Sequence, residues 1–390
     1  MSKKLRTFVL RERFSELLDP TIEMAEAVPN AQPVSRSSGS DPEYSIETHE
    51  VEDGEIADLA SESDVRAAGI SMPFTLVEPL DAEPADAGGD NWGIKAIGAD
   101  ELDRFAGSGV KVAVLDTGIV DHEAFDGLNP ITMNFTEEVD HDINGHGTHC
   151  AGTIFGQDVG GRRIGVARGV REPLIGKVLG AGGGGSESIF DAILWAQRNG
   201  ANVISMSLGI DFPGFQSRLV ASGREEVEAT SIALQAYRDN VRLFDQISQL
   251  FSHNTRINTP LLVAAAGNES NRPRYTIAVA PPSVADDILS VAAIDEDHKV
   301  ARFSNTLADC CAPGVGILSA SHTGGLKTLS GTSMATPHVA GAAAVAAQKM
   351  LATTGRFTAS ELQQAVLAKA VPVPGLSKAD AGIGKVMAKT

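Results

Sequence analysis

Three short stretches, far apart in a chain of 390 residues, carry side chains able to act together in covalent chemistry. In residues 113–118 (AVLDTG) a carboxylate, Asp116, follows an apolar run and precedes a turn at Gly118. A carboxylate so placed can be held in one orientation and shielded from water, although many strands end in Asp-x-Gly and use the acid only for a turn or cap. In residues 144–153 (NGHGTHCAGT), His146 stands between two glycines at what reads as a helix start, which suits a general base aimed outward. The i, i+3 pair His146 and His149 offers a metal-binding face as the alternative, but no third ligand stands nearby in the segment. His149 then reads as a packed or hydrogen-bonded support, and Cys150 as pointing into the interior beside the base. In residues 330–341 (SGTSMATPHVAG), Ser333 follows Gly331 at the head of an Ala-rich helix running toward Met350. A hydroxyl there lies near unpaired backbone N–H groups and the positive helix end, where a developing oxyanion is stabilised. Taken alone, the same serine would do as an N-cap.

Side chains this distant need a scaffold that converges them. From residue 92 onward, short apolar runs alternate with Gly-punctuated helical segments. Residues 110–115, 174–179, 202–206, 261–265 and 288–293 read as buried strands, and 188–198 as a helix between two of them. This alternation predicts parallel strands joined by crossovers. Ligands bind such sheets at the carboxyl ends of the strands, where Asp116 and the pair Gly267–Asn268 fall. Residues 211–258 read as an insertion, with helical periodicity at Ile232, Leu234, Tyr237, Val241, Leu243, Phe244, Ile247 and Leu250. A long helix packed on the core explains that pattern.

Residues 1–80 read as a separate small α+β unit. Strands are expected at 5–10, 44–51 and 73–77, a turn-rich break at 35–42, and a helix at 56–68. Residues 81–91, rich in Pro, Gly, Ala and acid, read as an exposed linker. The charge supports the division: residues 1–90 hold 7 basic and 20 acidic groups, −13 of the total −18. A chain this acidic is a poor partner for nucleic acid or an anionic membrane surface. No apolar run reaches signal-peptide or membrane-spanning length, so a cytoplasmic protein, or one exported by an unusual route, is the default expectation. Three cysteines, two of them adjacent, do not make a disulfide framework.

The three segments, in the order Asp, His, Ser, resemble the active-site signatures of the subtilisin-like (S8) serine peptidases. A fourth, residues 263–268 (VAAAGN), resembles the oxyanion-hole strand of that family. The similarity runs from about Trp92 to the C-terminus. It implies a parallel-sheet, three-layer α/β catalytic domain with a small α+β N-terminal prodomain. By the same resemblance, Ser333 is the nucleophile, His146 the general base and acid, and Asp116 the group that orients the imidazole. Asn268 and the Ser333 N–H would form the oxyanion hole. A substrate would add as a strand between Gly182, Gly183 and Gly184 on one side and Ser207, Leu208 and Gly209 on the other. Ala265, Ala266 and Gly267 would leave room for a large P1 side chain. The partners implied are polypeptide substrates and the chain's own propeptide, residues 1–80, acting as an intramolecular inhibitor until cleaved in the linker.

The family's common calcium site is not matched. Ala124 stands near its expected Asp, and residues 156–164 (GQDVGGRRI) offer few hard oxygen ligands, so no strong Ca²⁺ site of that kind and no cofactor are expected. An esterase with the same triad is disfavoured, because residues 331–335 (GTSMA) lack the second Gly of a G-x-S-x-G elbow. A peptide-binding member without catalysis and a peptidase dedicated to one substrate are the remaining alternatives.

Overall fold

The structure is a computed structural model that describes residues 4–13, 43–52, 54–81, 91–102, 104–252 and 257–389. The N-terminal unit comprises β1 (Leu5–Arg13), β2 (Glu43–Val51), α1 (Glu55–Ala60), β3 (Val65–Ile70), β4 (Pro73–Leu76) and β5 (Leu80–Asp81). The larger part continues with α2 (Trp92–Ala96), β6 (Val112–Asp116), β7 (Ile131–Asn134), α3 (His146–Phe155), β8 (Leu174–Lys177), β9 (Gly184–Gly185) and α4 (Ser186–Arg198). It then runs through β10 (Val203–Met206), β11 (Leu208–Ile210), α5 (Phe212–Ala221), α6 (Glu226–Ser252), β12 (Leu261–Ala265) and β13 (Ile288–Ile294). It closes with β14 (Cys310–Pro313), β15 (Ile317–Ala320), β16 (Leu326–Ser330), α7 (Thr332–Thr354), α8 (Ala359–Leu367) and α9 (Lys378–Ala381).

Seven strands form one sheet in the order β14-β13-β12-β10-β6-β8-β7. Every neighbouring pair in it is parallel. The apolar runs are continuous because both faces are covered. Side chains alternate between two cores: Val112 and Val114 of β6 join the cluster beneath α3 and α7, while Ala113 and Leu115 join the one beneath α4 and α6. The result is the expected three-layer α/β arrangement. Strands β6, β10, β12 and β13 and helix α4 fall within two residues of the sequence expectation.

The N-terminal unit departs from expectation in one place. Residues 56–68 are a short helix, α1, followed by a strand, β3, rather than a single helix. Local propensity yields to pairing here: β1 lies between β2 and β3 in an antiparallel sheet and needs both partners. The expected turn-rich break at 35–42 lies outside the described residues, as does most of the 81–91 linker.

Helix α6 does two jobs. Its inner face buries Ala229, Ile232, Ala233, Ala236, Leu243, Phe244, Ile247 and Phe251, as the periodicity anticipates, although Leu234 is exposed. Beside β3 it also carries the N-terminal unit. Asn240 Nδ2 donates to Ile70 O at 2.9 Å, and Ser186 Oγ donates to Asn240 Oδ1 at 2.6 Å. Gly69 lies so close to Asp239 that an added Cβ would stand 2.4 Å from the Asp239 Cβ. Arg6 pairs with Glu187 at the start of α4, and Ser71 Oγ donates to the same carboxylate at 2.9 Å. Among the described residues no helix is long and apolar enough to cross a membrane.

Two imidazoles are buried in the packed helices α3 and α7. Burial first, and then the charge of His146, pushes His149 down from 6.5 to about 3. Burial pushes His338 down to about 4. Both are therefore neutral in the folded protein, while an unfolded chain would protonate them near 6.5. Between those values the unfolded state binds more protons, so their contribution is complete above pH 6.5 and is lost as the pH falls below it. Thermal melts at stepped pH should show the melting temperature falling steadily from pH 6.5 to pH 4. His338→Gln should flatten part of that slope.

Candidate active site

Strand β6 ends at Asp116, and helix α3 begins at His146. These two ends meet: His146 Nδ1 lies 2.7 Å from Asp116 Oδ1, with both side chains almost fully buried. Asp116 Oδ1 also accepts the Thr117 N–H at 2.8 Å, which fixes the carboxylate against its own turn. Burial works against charge on His146, but the Asp116 carboxylate outweighs it and holds the ring well above 6.5. The opposite ring nitrogen, Nε2, is buried and has no hydrogen-bond partner among the described residues.

Ser333 is the second residue of α7, where backbone N–H groups are left over by the helix. Cys150 touches both its backbone and His146, and no hydrogen bond joins the Ser333 hydroxyl to the His146 ring among the described residues. Cys150 Sγ lies 3.8 Å from His146 Nδ1, and donates to Ser333 O at 3.4 Å. Ser207 Oγ donates to that same carbonyl at 3.3 Å. The Ser333 hydroxyl is engaged by the protein's own chain: it donates to Val77 O at 3.1 Å. Asn268 is bound at both ends. Its Oδ1 accepts the Thr332 N–H at 2.9 Å and the Thr332 hydroxyl at 3.0 Å, and its Nδ2 donates to Glu78 O at 2.8 Å. A fixed amide donor thus points into the cleft, at the carbonyl one residue past the one that the Ser333 hydroxyl meets.

The chain that fills this cleft is the end of the N-terminal unit. Strand β4 pairs antiparallel with β11, matching Phe74 to Ile210, Thr75 to Gly209 and Leu76 to Leu208. Continuing that register sets Val77 opposite Ser207. On its other edge β4 pairs with β9, matching Pro73 to Gly185 and Phe74 to Gly184. Gly183 leaves no room for a side chain, since a Cβ there would stand 2.3 Å from Phe74 O. Gly182 lies along the same wall without pairing, and Gly185, which the sequence reading leaves out, does pair. Beyond Ser333, β5 pairs antiparallel with β16, matching Leu80 to Ser330. One continuous segment therefore spans the site on both sides of Ser333.

Phe74 is fully buried and meets the Phe244 ring edge-on at a centroid distance of 5.6 Å. Burial of such a ring contributes about 1.5–3 kcal/mol. Val77 borders a pocket of about 580 Å³ whose walls include Gly209, Ala265, Ala266 and Gly267. Phe212 and Tyr237, from α5 and α6, also line it. The segment that reads as an insertion in the sequence thus contributes to the cleft as well as to the core.

Asp116, His146 and Cys150 bring three metal-ligand atoms within 4.8 Å of one another, the one such group among the described residues. The Asp116–His146 hydrogen bond already uses two of the three. His149, the other half of the i, i+3 pair, turns away and has its Nε2 3.0 Å from Ile317 O and 3.1 Å from Lys327 O. All three cysteines are free and buried. Two residues that hold the site went unnoticed in the sequence. Thr117 Oγ1 accepts the Gly147 N–H at 2.9 Å, and Asp142, fully buried, accepts five hydrogen bonds around the start of α3.

Comparison with known proteins agrees with this geometry. A cuticle-degrading serine protease of Arthrobotrys oligospora is 34% identical over 283 residues, covering 67% of this chain and 59% of the relative. A subtilisin-like protease 6 of Arthroderma benhamiae is 35% identical over 274 residues, 64% of this chain and 56% of the relative. A subtilisin-like protease 6 of Trichophyton tonsurans is 33% identical over 324 residues, 75% and 66% of the two chains. The matches thus span less than two thirds of the length of these relatives. A model of the subtilase family, peptidase S8, matches residues 107–385 and includes Asp116, His146, Asn268 and Ser333 within its span, so the chain belongs to the subtilase family.

Proposed function

We propose that this chain is a serine endopeptidase that acts on polypeptides and is made as a self-processing zymogen. The observation that carries this reading is the continuous segment from β4 to β5, which lies through the cleft as a substrate would. Ser333 Oγ attacks the carbonyl carbon of a peptide bound in this way. His146 takes the hydroxyl proton and later gives it to the leaving amine, while Asp116 holds the ring and steadies the imidazolium. Asn268 and the Ser333 N–H take up the charge that develops on the carbonyl oxygen. The amine side leaves first, and water then releases the acyl-enzyme.

Residues 1–80 serve as the prodomain that blocks the cleft. The bond between Val77 and Glu78 is the processing site, ahead of the 81–91 linker where sequence alone puts it. Two contacts support this position: the Ser333 hydroxyl on Val77 O, and Val77 at the mouth of the apolar pocket. A pocket of about 580 Å³ is far larger than a valine, so the enzyme favours bulky apolar P1 residues in its substrates.

Intact-mass analysis of purified wild type beside Ser333→Ala tests the nucleophile and the junction together. Only the wild type should shorten, to a species beginning at Glu78. Shortening of Ser333→Ala would remove Ser333 from the role, and a cut within 81–91 would move the junction. Asn268→Asp keeps the acceptor that Thr332 uses but loses the donor. It should lower kcat by about 10²-fold or more, the range typical for loss of one oxyanion donor, with little change in melting temperature. On a peptide library, cleavage should concentrate after Phe, Tyr, Leu and Met, whereas a strict requirement for Lys or Arg would contradict the pocket.

A further inference from the structure

We infer that Asp142 is a positioning residue that sets the distance and alignment of the Asp116–His146 pair, a role that rests on the peptidase reading above. Its carboxylate is 1% exposed, and no ion pair to it is present among the described residues. Five donors satisfy it instead. Oδ1 accepts the Thr117 hydroxyl at 2.9 Å, the Asn144 N–H at 3.0 Å and the Gly145 N–H at 2.8 Å. Oδ2 accepts the Thr148 N–H at 2.9 Å and the Thr148 hydroxyl at 2.7 Å. A buried carboxylate is costly unless its lone pairs are used, and here all the geometry converges on that need.

The partners decide the function. Thr117 is the neighbour of Asp116, and Gly145 and Thr148 stand on either side of His146. Thr117 Oγ1, held by Asp142, in turn accepts the N–H of Gly147. A closed ring of hydrogen bonds therefore joins the end of β6 to the first turn of α3, and the catalytic pair spans that ring. The loop that delivers Asp142 is itself held from below. Lys177 Nζ, buried at the end of β8, donates to Val139 O at 2.8 Å and His141 O at 3.1 Å, and the Asp142 N–H donates to Ile119 O at 3.2 Å. Asp142 touches neither the imidazole nor the filled cleft, so it acts through Asp116 and His146 rather than on substrate.

Misplacing a catalytic pair by about 1 Å costs on the order of 10²-fold in rate. Asp142→Asn turns one oxygen into an N–H₂, which leaves either two or three of the five donors without an acceptor. Thr117→Val cuts the link to β6, removing one donor to Asp142 and the acceptor of the Gly147 N–H, while the other four donors to the carboxylate stay in place. The test uses the full chain, with active enzyme counted by titration with a covalent serine inhibitor, and kcat, KM and the pH dependence of kcat/KM measured on a peptide substrate. The charged or titratable groups facing His146 are Asp116 from β6 and, from its own helix, His149 and Cys150. Of these, Asp116 dominates the hold on the ring proton. Asp142→Asn should lower kcat per titrated site by about 10- to 100-fold with KM changed less than about threefold, and should move the acidic limb of the profile to lower pH. Thr117→Val should move the limb in the same direction by a smaller amount. If either folded variant keeps the wild-type kcat per titrated site and the wild-type limb, Asp142 is merely structural and the inference is wrong. Should Asp142→Asn fail to fold, Thr117→Val decides alone. Wild type that neither titrates nor hydrolyses the peptide would instead overturn the peptidase reading itself.

Discussion

The hydrogen bond between His146 Nδ1 and Asp116 Oδ1, 2.7 Å long and sealed from water, is the interaction on which the rest of the molecule converges. It can form only if the carboxyl end of one strand and the amino end of one helix are brought face to face. The parallel sheet does this by ending β6 beneath the start of α3. Its neighbours place Asn268 just past β12 and Ser333 at the head of α7 on the same rim. Each of these residues thus occurs at or just past an element terminus, where a side chain can be fixed by backbone groups and still reach outward. Burial opposes charge on the ring, and the Asp116 carboxylate outweighs it and raises the affinity of the ring for its proton, which is the property a general base requires.

Much of this was legible in the sequence, and the reason is local. Asp116, His146, Asn268 and Ser333 stand in stretches whose small flanking residues and order along the chain are distinctive. The central strands announce themselves because they are apolar on both faces. Short strands made only by pairing were not legible. Residues 184–185 and 208–210 carry no strand pattern of their own and become extended because β4 lies between them. Residues 65–68 read as helix for the same reason, since 65–70 (VRAAGI) becomes a strand only beside β1. Asp142 was invisible for another cause. It shares the stretch DHD with the exposed Asp140, and nothing local tells the buried acid from its solvated neighbour.

Helix α6 shows how an apparent insertion can be absorbed into function. Its apolar face is ordinary core, which is why periodicity found it. Its other contacts, Asp239 against Gly69 and Asn240 beneath Ile70, depend on a partner that is remote in sequence. Tyr237 on the same helix borders the pocket under Val77, so one element couples core packing, reception of the N-terminal unit and the shape of the cleft.

The pairing of β5 with β16 gives the cleft occupant a grip on both sides of Ser333. While the chain is whole, the two grips are tethered, and each keeps the other at a high effective concentration; release of one is followed by rapid return. A cut between them changes that arithmetic. The few residues past the break keep the short β5 ladder and the Asn268 contact with Glu78 O, and lose the help of Phe74 and the rest of β4. The upstream piece, no longer tied to the rest of the chain, becomes an ordinary ligand whose departure depends on its concentration. Covalent continuity, more than the strength of any single contact, is what keeps the site closed.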